Sequence, residues 1–252
     1  MPIHGPLPRP APDAPPRLLI ISGAGLSAPS GIATFRASDG LWAGHDIRKV
    51  CSADTWRDNR DAVHAFYNGR RTELARAEPN AAHAILAAWE KQPGTVHLTQ
   101  NVDDLCERAG GDPLHLHGFL PDMKCVACGE QWRIGTRAWN HEEERCPKCA
   151  SSKGVKPAIV FFGDSAPGYT DLRRQLDALR TSDILLCVGT SGVVLPVAAY
   201  AHAVPAQSIF VAADEPGENI RESFDLVKLG CCTEVLPGIE PLIADKLGWI
   251  RR

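Results

Sequence analysis

A chain of 252 residues, 44% of them hydrophobic and carrying a formal charge of -3, is long and apolar enough for one substantial core, and it suits one domain with insertions. No run approaches the ~18 apolar residues of a membrane helix, and the start Met1-Pro2-Ile3-His4-Gly5-Pro6 has neither a basic n-region nor an apolar h-region. The charge balance also lacks a broad basic face, so membrane and nucleic-acid partners are not expected. Nine cysteines, an odd number without a secretion signal, favour reduced thiols and a metal site over a disulfide framework, with the cytoplasm as default compartment.

Residues 1–16 hold seven prolines and few large apolar side chains, which predicts an extended or disordered tail. Leu18-Leu19-Ile20-Ile21-Ser22 then reads as a buried strand leading into Gly23-Ala24-Gly25-Leu26-Ser27-Ala28, a Gly-x-Gly-x-x-Ala fingerprint. In that reading Gly23 and Gly25 let backbone amides approach a pyrophosphate, Ala28 lets a following helix sit close to the sheet, and phosphate rests on the helix N-terminus. Six residues also fit an ordinary glycine turn after a buried strand. Asp39-Gly40-Leu41-Trp42 predicts a turn anchored by a buried tryptophan, and the polar, arginine-rich stretch from about Ser52 to Arg76 reads as helix, ended by Pro79. A second helix runs through His83, Ile85, Leu86 and Trp89, and Pro93-Gly94 hands over to the strand Val96–Thr99. Beyond Gly118 the chain turns polar and loop-like as far as Ser152. Apolar strands return at Ala158–Phe162, Ile184–Val188 and Ser208–Val211, with helices near Leu172–Leu179 and Pro196–Ala203 between them. Continuous apolar strands alternating with helices predict an α/β fold, a Rossmann-like parallel sheet covered on both faces.

Within the polar insertion, Cys125-Val126-Ala127-Cys128 and Cys146-Pro147-Lys148-Cys149 form two thiolate knuckles spaced as in a four-cysteine zinc ribbon. Four thiolates saturate a tetrahedral ion, which makes the predicted zinc structural, and the segment is too polar to bury four unrelated thiols. Cys51, Cys106, Cys187, Cys231 and Cys232 lack this pairing and read as small core or pocket-lining side chains. In Leu114-His115-Leu116-His117-Gly118, alternation sends both histidines to one side.

The run Gly23 to Arg36, with Thr99-Gln100-Asn101-Val102-Asp103, His115-Leu116-His117-Gly118 and Gly189-Thr190-Ser191 in the same order, resembles the sirtuins, NAD-consuming protein lysine deacylases, over roughly Arg17 to Leu247. The resemblance implies that the acyl-lysine oxygen attacks C1′ of the nicotinamide ribose, nicotinamide departs, and His117 activates a ribose hydroxyl. Lysine and an O-acyl-ADP-ribose are then the products. On residue type alone a histidine such as His117 is more often a hydrogen-bonded structural residue than a base, and Asn101 and Asp103 also read as turn residues. The resemblance makes His117 the base and has Asn101 and Asp103 hold the ribose and the nicotinamide amide. It also implies NAD contacts from Gly23, Ala24, Gly25, Ser27, Ala28, Thr34, Phe35, Arg36, Trp42, Gln100, Val102, Gly189, Thr190 and Ser191. Ala213-Asp214-Glu215 replaces the usual Asn-x-Glu, and Cys232 stands where a small residue is usual, so both the Ala213 and Cys232 contacts are altered. Asp104 and Cys106 also differ from the commoner Asn and His.

Phe66-Tyr67-Asn68-Gly69-Arg70-Arg71 resembles the Tyr-x-x-Arg pair of the sirtuin branch that removes succinyl and malonyl groups. Tyr67 and Arg70, three apart, share a helix face, although a run this rich in arginine also suits a solvated face. The resemblance implies that the Arg70 fork grips the distal carboxylate and Tyr67 assists. Cys51 would stand where a small alanine opens the acyl pocket, and Val160, Phe162 and Gly163 would contact the substrate. The expected organisation is a tail over 1–16 and a catalytic domain over 17–252. Within it a Rossmann-like part spans 17–45, 89–121 and 155–252, a helical module 46–88 and a zinc module 122–154. An NAD-dependent mono-ADP-ribosyltransferase and a non-enzymatic, NAD-sensing zinc module remain the alternatives.

Overall fold

The computed structural model describes residues 14–36, 41, 42 and 44–249, with the backbone alone at 35, 36, 41 and 42. The tail over 1–13, the Asp39-Gly40 turn and the side chains of Phe35, Arg36 and Trp42 lie outside the described residues. In chain order the elements are β1 (Leu18–Ser22), β2 (Phe35–Arg36), β3 (Leu41–Trp42), β4 (His45–Asp46), α1 (Ile47–Val50), α2 (Arg60–Leu74), α3 (Ala81–Glu90) and β5 (Thr95–Thr99). Then follow α4 (Leu105–Arg108), β6 (Leu114–His115), β7 (Gly118–Cys125), β8 (Gln131–Arg133), β9 (Val155–Ile159), α5 (Gly168–Asp177) and β10 (Ile184–Val188). The chain closes with α6 (Val197–Ala203), β11 (Gln207–Ala212), α7 (Glu218–Ser223), β12 (Leu226–Leu229) and α8 (Cys232–Leu247).

The main sheet is parallel, in the order β12-β11-β10-β1-β5-β6. Because side chains alternate along a strand, Leu18 and Ile20 of β1 pack on one face with Leu86, Trp89, Leu236 and Ile243 from α3 and α8. Leu19 and Ile21 pack on the other with Leu172, Val197 and Ile220 from α5, α6 and α7. Burying one such side chain is worth about 1.5–3 kcal/mol, so two-sided coverage is what pays for an all-apolar strand. From β1 the chain moves outward to β5 and β6, then returns to the other side of β1 for β10, β11 and β12. The strand order therefore reverses between β1 and β10. The loops after these two strands diverge there and leave a crevice at their carboxyl ends, where doubly wound sheets bind ligands.

Four sequence expectations are corrected. No α-helix follows the glycine loop; instead two 3₁₀ turns, Ala24–Leu26 and Ala28–Ser30, fill that place, and Gly31, in left-handed backbone at φ 85°, ends the second. Ala28 is exposed on the cavity rather than wedged between helix and sheet, and no helix N-terminus awaits a phosphate there. The expected helix from Ser52 begins only at Arg60, after α1 and a series of turns. The expected strand Ala158–Phe162 ends at Ile159 and pairs antiparallel with β7, outside the parallel sheet. β7 itself, buried from Phe119 to Met123, occupies what reads as loop in the sequence.

β8, β7 and β9 form the second sheet, and α2 packs against β7 and β9. At its far end Met123, Trp139 and Val155 pack around Cys125 and Cys146. Asn68 of α2 binds both the carbonyl oxygen and the amide of Trp139, at 3.0 and 2.9 Å, joining the helix to this end.

Candidate active site

The crevice opens into a cavity of about 1000 Å³ running from the β1–β10 switch point to the loop that follows β9. Its floor depends on a close backbone crossing. A Cβ on Gly23 would lie 2.8 Å from the Gly189 carbonyl oxygen, and one on Gly25 would lie 2.8 Å from Gly189 Cα. Gly189 itself has φ 65°, and a Cβ there would fall 2.4 Å from the Leu26 amide nitrogen. These glycines let two backbone loops touch, and the Gly25 amide donates to the Gly189 carbonyl at 2.7 Å.

The cavity gathers nearly all the residues singled out from sequence. Gly23, Ala24, Gly25, Ser27, Ala28 and Thr34 line it from the first loop; Gln100, Asn101, Val102, Asp103 and His117 from the β5 and β6 ends. Gly189, Thr190 and Ser191 line it after β10, Ala213 after β11, and Cys232 at the start of α8. Cys51, Val160, Phe162 and Gly163 line the far wall. Ala213 offers no side-chain acceptor, Glu215 is taken by Arg221 at 2.8 Å, and the Cys232 thiol lies 3.6 Å from the Gly25 carbonyl.

A polar chain of fixed direction lies beneath Asn101 and Asp103. The Asn80 amide donates to His83 Nδ1 at 3.2 Å, so the His83 proton sits on Nε2 and points to Ser27 Oγ at 3.3 Å. Ser27 Oγ also accepts from Asn101 Nδ2 at 3.0 Å, and it donates to Asp103 Oδ2 at 3.0 Å. Burial, with the positive charge that His97 would carry, pulls His83 down to about 4, which keeps it neutral. Burial raises the Asp103 carboxyl, partly offset by the Leu105 amide and the Ser27 hydroxyl. His83 was absent from the sequence candidates. Its one sequence signal is the Asn80-x-x-His83 spacing of a capping box, which the structure contains.

The two histidines of the Leu-His-Leu-His run face the loop after β5, as alternation predicts, while Leu114 and Leu116 pack inward. His115 donates from Nδ1 to the Asn101 carbonyl at 2.7 Å and from Nε2 to Glu107 at 2.6 Å. Burial disfavours its charge, yet the Glu107 hydrogen bond and charge outweigh it and raise its pKa, giving an imidazolium. His117 is the opposite case. Its Nδ1 donates to the Gln100 carbonyl at 3.1 Å, and burial lowers its pKa, so it is neutral with the Nε2 lone pair toward the cavity. Two residues apart, one histidine has an acceptor on each ring nitrogen and a raised pKa, and the other keeps Nε2 as an acceptor and has a lowered one.

Tyr67 and Arg70 do not line the main cavity. They line a side pocket of about 40 Å³ that shares Ile32, Ala33, Val102 and Asp103 with it. Tyr67 is fully buried, its ring stacked on Phe161 at 5.8 Å, with the Cys51 thiol beside its hydroxyl. Arg70 pairs through Nη2 with Glu73, while its buried Nη1 has no hydrogen-bond partner among the described residues. Lys156, buried under Phe161, donates to the Ile159 carbonyl at 2.6 Å and to Asp164 at 2.7 Å, bracing the loop between the two spaces.

The four knuckle cysteines converge. Cys125 and Cys149 Sγ are 3.6 Å apart, Cys128 and Cys146 3.7 Å, and all four sulfurs lie within 4.8 Å of one another. Four thiolates about 2.3 Å from one tetrahedral ion would sit ~3.8 Å apart, so the cluster fits a structural zinc.

Doubly wound sheet, switch-point cavity and four-cysteine module together define an α/β nucleotide-binding protein with a metal-stapled insertion. Residues 23–196 match the Sir2 family, and the chain belongs to it. It is 39% identical over 231 residues to a Campylobacter jejuni NAD-dependent protein deacylase, covering 90% of this chain and 94% of that one. A Pasteurella multocida protein of the same name is 37% identical over 88% of this chain and 95% of its own. Among solved structures, a Sir2 homologue mutant bound to ADP-ribose superposes with TM-score 0.79 at 30% identity, covering 94% and 95% of the two chains. A Sir2 homologue in complex with NAD gives TM-score 0.76 at 30% identity over 92% and 90%. Among the described residues, no helix is long and apolar enough to cross a membrane.

Proposed function

We infer that this protein is an NAD-dependent protein-lysine deacylase, accepting succinyl- and malonyl-lysine as well as acetyl-lysine, with His117 as its base. The observation that carries this reading is the neutral His117, its proton held on Nδ1 by the Gln100 carbonyl and its Nε2 lone pair turned to the cavity. When bound, NAD supplies the ADP-ribosyl group that receives the acyl chain as nicotinamide leaves. Gly23, Gly25, Thr34, Gly189, Thr190 and Ser191 hold its phosphates and adenosine half in this reading. Asn101 and Asp103, oriented through Ser27, hold the distal ribose and amide, and His117 Nε2 takes up a hydroxyl proton. Phe35, Arg36 and Trp42 belong to the same proposed cofactor set.

The acyl chain passes Cys51, Val160, Phe162 and Gly163, and its distal carboxylate meets Arg70 and Tyr67. Support for this finer reading is the side pocket, which shares Ile32, Ala33, Val102 and Asp103 with the main cavity, and the unpaired, buried Nη1 of Arg70 that lines it. The catalytic unit is assigned to 17–252, with the helical module at 46–88 and the zinc module at 122–154. A cytoplasmic setting is part of the same reading.

The test is turnover of acetyl-, malonyl-, succinyl- and longer acyl-lysine peptides with NAD. Equal yields of nicotinamide and O-acyl-ADP-ribose are expected, and folded His117→Ala should lose roughly 10²-fold or more. Nicotinamide release with unacylated protein would instead indicate an ADP-ribosyltransferase. NAD left intact with every peptide would indicate a sensing module.

A further inference from the structure

Tyr169 is absent from every sequence motif, yet its hydroxyl lies 2.8 Å from His117 Nε2, with the two ring centroids 5.8 Å apart. It is the second residue of α5, and the close packing of that helix start explains the contact. A Cβ on Gly168 would lie 3.3 Å from Leu116 Cα, so the first turn of α5 rests against the residue preceding His117. Hydrogen-bond direction follows from the neighbours. His117 Nδ1 holds the ring proton against the Gln100 carbonyl, which leaves Nε2 as an acceptor, and burial raises the Tyr169 hydroxyl pKa, keeping it protonated. The tyrosine therefore donates to the imidazole. An sp² nitrogen has a single lone pair, so Tyr169 occupies the same acceptor that a hydroxyl of bound ligand would need.

We propose that Tyr169 is a positioning residue for the base: its hydroxyl caps His117 Nε2 in the ligand-free enzyme and is displaced by a ribose hydroxyl when the cofactor binds. The inference rests on His117 being the base. Tyr169 lines the cavity and is 37% exposed at the edge of a helix, so a side-chain rotation releases the cap without moving the sheet. While in place, the donated hydrogen bond stabilises the neutral ring and orients its lone pair into the site. No charged group contributes to the lowered His117 pKa, whose causes are burial and, opposing it, the Gln100 carbonyl. Besides Tyr169, the titratable groups lining this cavity are Cys51, Asp103, Asp164, Asp214, Glu215, Cys231 and Cys232, none of which contributes to that shift.

Tyr169→Phe keeps the ring and removes the donor. Two readouts that need no turnover test the cap: the His117 titration followed by NMR, and calorimetric affinity for ADP-ribose, with AMP as the control lacking the distal ribose. The His117 titration should move to higher pH, because a bond favouring the neutral form is gone. ADP-ribose should bind about 2- to 10-fold more tightly, the range for one neutral hydrogen bond no longer competing, while AMP affinity stays unchanged. An unmoved titration overturns the proposal. So does weaker ADP-ribose binding, which would make Tyr169 a ligand contact, or an equal change for AMP, which would make its role structural. Tyr169→Leu also lacks the donor and serves if the phenylalanine variant does not fold. Wild-type enzyme that turns over no acyl peptide, with the titration shift intact, would refute the deacylase reading and leave the cap standing.

Discussion

Replacing Arg70 by methionine separates acidic-acyl recognition from every other role of that arginine. The guanidinium is buried, Nη2 is engaged by Glu73, and Nη1 is unpaired inside the side pocket. Methionine preserves the apolar stem beside the Phe66 ring while removing the fork. Glu73 is 45% exposed, so its released carboxylate is solvated at little cost. A succinyl carboxylate entering the variant pocket would be buried without a partner. Leaving one member of a desolvated, hydrogen-bonded charge pair unpaired costs about 2–5 kcal/mol. At about 1.4 kcal/mol per factor of ten, the lower bound is roughly 30-fold in kcat/KM for succinyl-lysine. An acetyl group carries no charge and should lose only the small effect of helix adjustment, so the succinyl-to-acetyl ratio should fall by roughly 30-fold or more. Paired kcat/KM measurements on one peptide sequence with either modification give that ratio directly. Equal losses for both substrates would show that Arg70 supports α2 through Glu73 and does not read the acyl chain, and the enzyme would revert to a general deacetylase.

The zinc module should contain about one zinc per chain, and Cys146→Ala should lose the metal and melt residues around 125–150 before the parallel sheet; full metal occupancy in that variant would exclude the site. Gly189→Ala places a Cβ 2.4 Å from the Leu26 amide nitrogen in left-handed backbone and should cost at least about 1–2 kcal/mol and most ADP-ribose affinity. An unaltered denaturation midpoint would contradict the close crossing. Stability should fall between pH 6.5 and 5. His64, lowered to about 3 chiefly by burial, and His83, lowered to about 4, stay unprotonated in the folded chain while their unfolded counterparts bind protons, and the lowered His117 acts in the same direction. The unfolded state binds more protons there, so stability rises with pH, by up to about 1.4 kcal/mol per pH unit for each fully titrating histidine. His115, raised instead, gains stability as pH falls from its folded value towards 6.5, so between pH 7 and pH 5 it offsets part of this loss and makes the net difference smaller than the sum for the lowered histidines. Urea denaturation at pH 7 and pH 5 measures the difference, and His64→Phe, which preserves the stack on His141, should reduce it; equal stabilities at the two pH values would refute the neutral burial of these rings.

The sequence alone determined those features whose cause is local. Five-residue apolar strands such as Leu18–Ser22 and Ile184–Val188 require cover on both faces wherever they sit, and that requirement specified the α/β class. Two Cys-x-x-Cys knuckles specify a metal cluster because each knuckle sets the approach of its own pair of sulfurs. Alternation put His115 and His117 on one side, and the order of four motifs carried the resemblance to a family the chain does belong to. Helix α8 escaped notice because Pro237, Gly238 and Pro241 argue against it locally. Burial of Leu236, Ile239, Ile243 and Leu247 against the sheet outweighs that preference, and both prolines face outward.

What tertiary structure decided was which polar groups meet. The glycines read as a cradle for phosphate are needed first for the crossing of Gly23 and Gly25 over Gly189, a contact between segments more than 160 residues apart. The two histidines of one motif have pKa values shifted in opposite directions because Glu107 reaches His115 while only a carbonyl and a phenol reach His117. His83 beneath Ser27 and Tyr169 above His117 come from distant helices, and no motif links either to the site. Their roles arise from the packing of α3 and α5 on either side of the β5 and β6 ends. Periodicity reports which side of an element is buried, whereas hydrogen-bond partners and pKa depend on distances across the core, which are determined only when all the layers pack together.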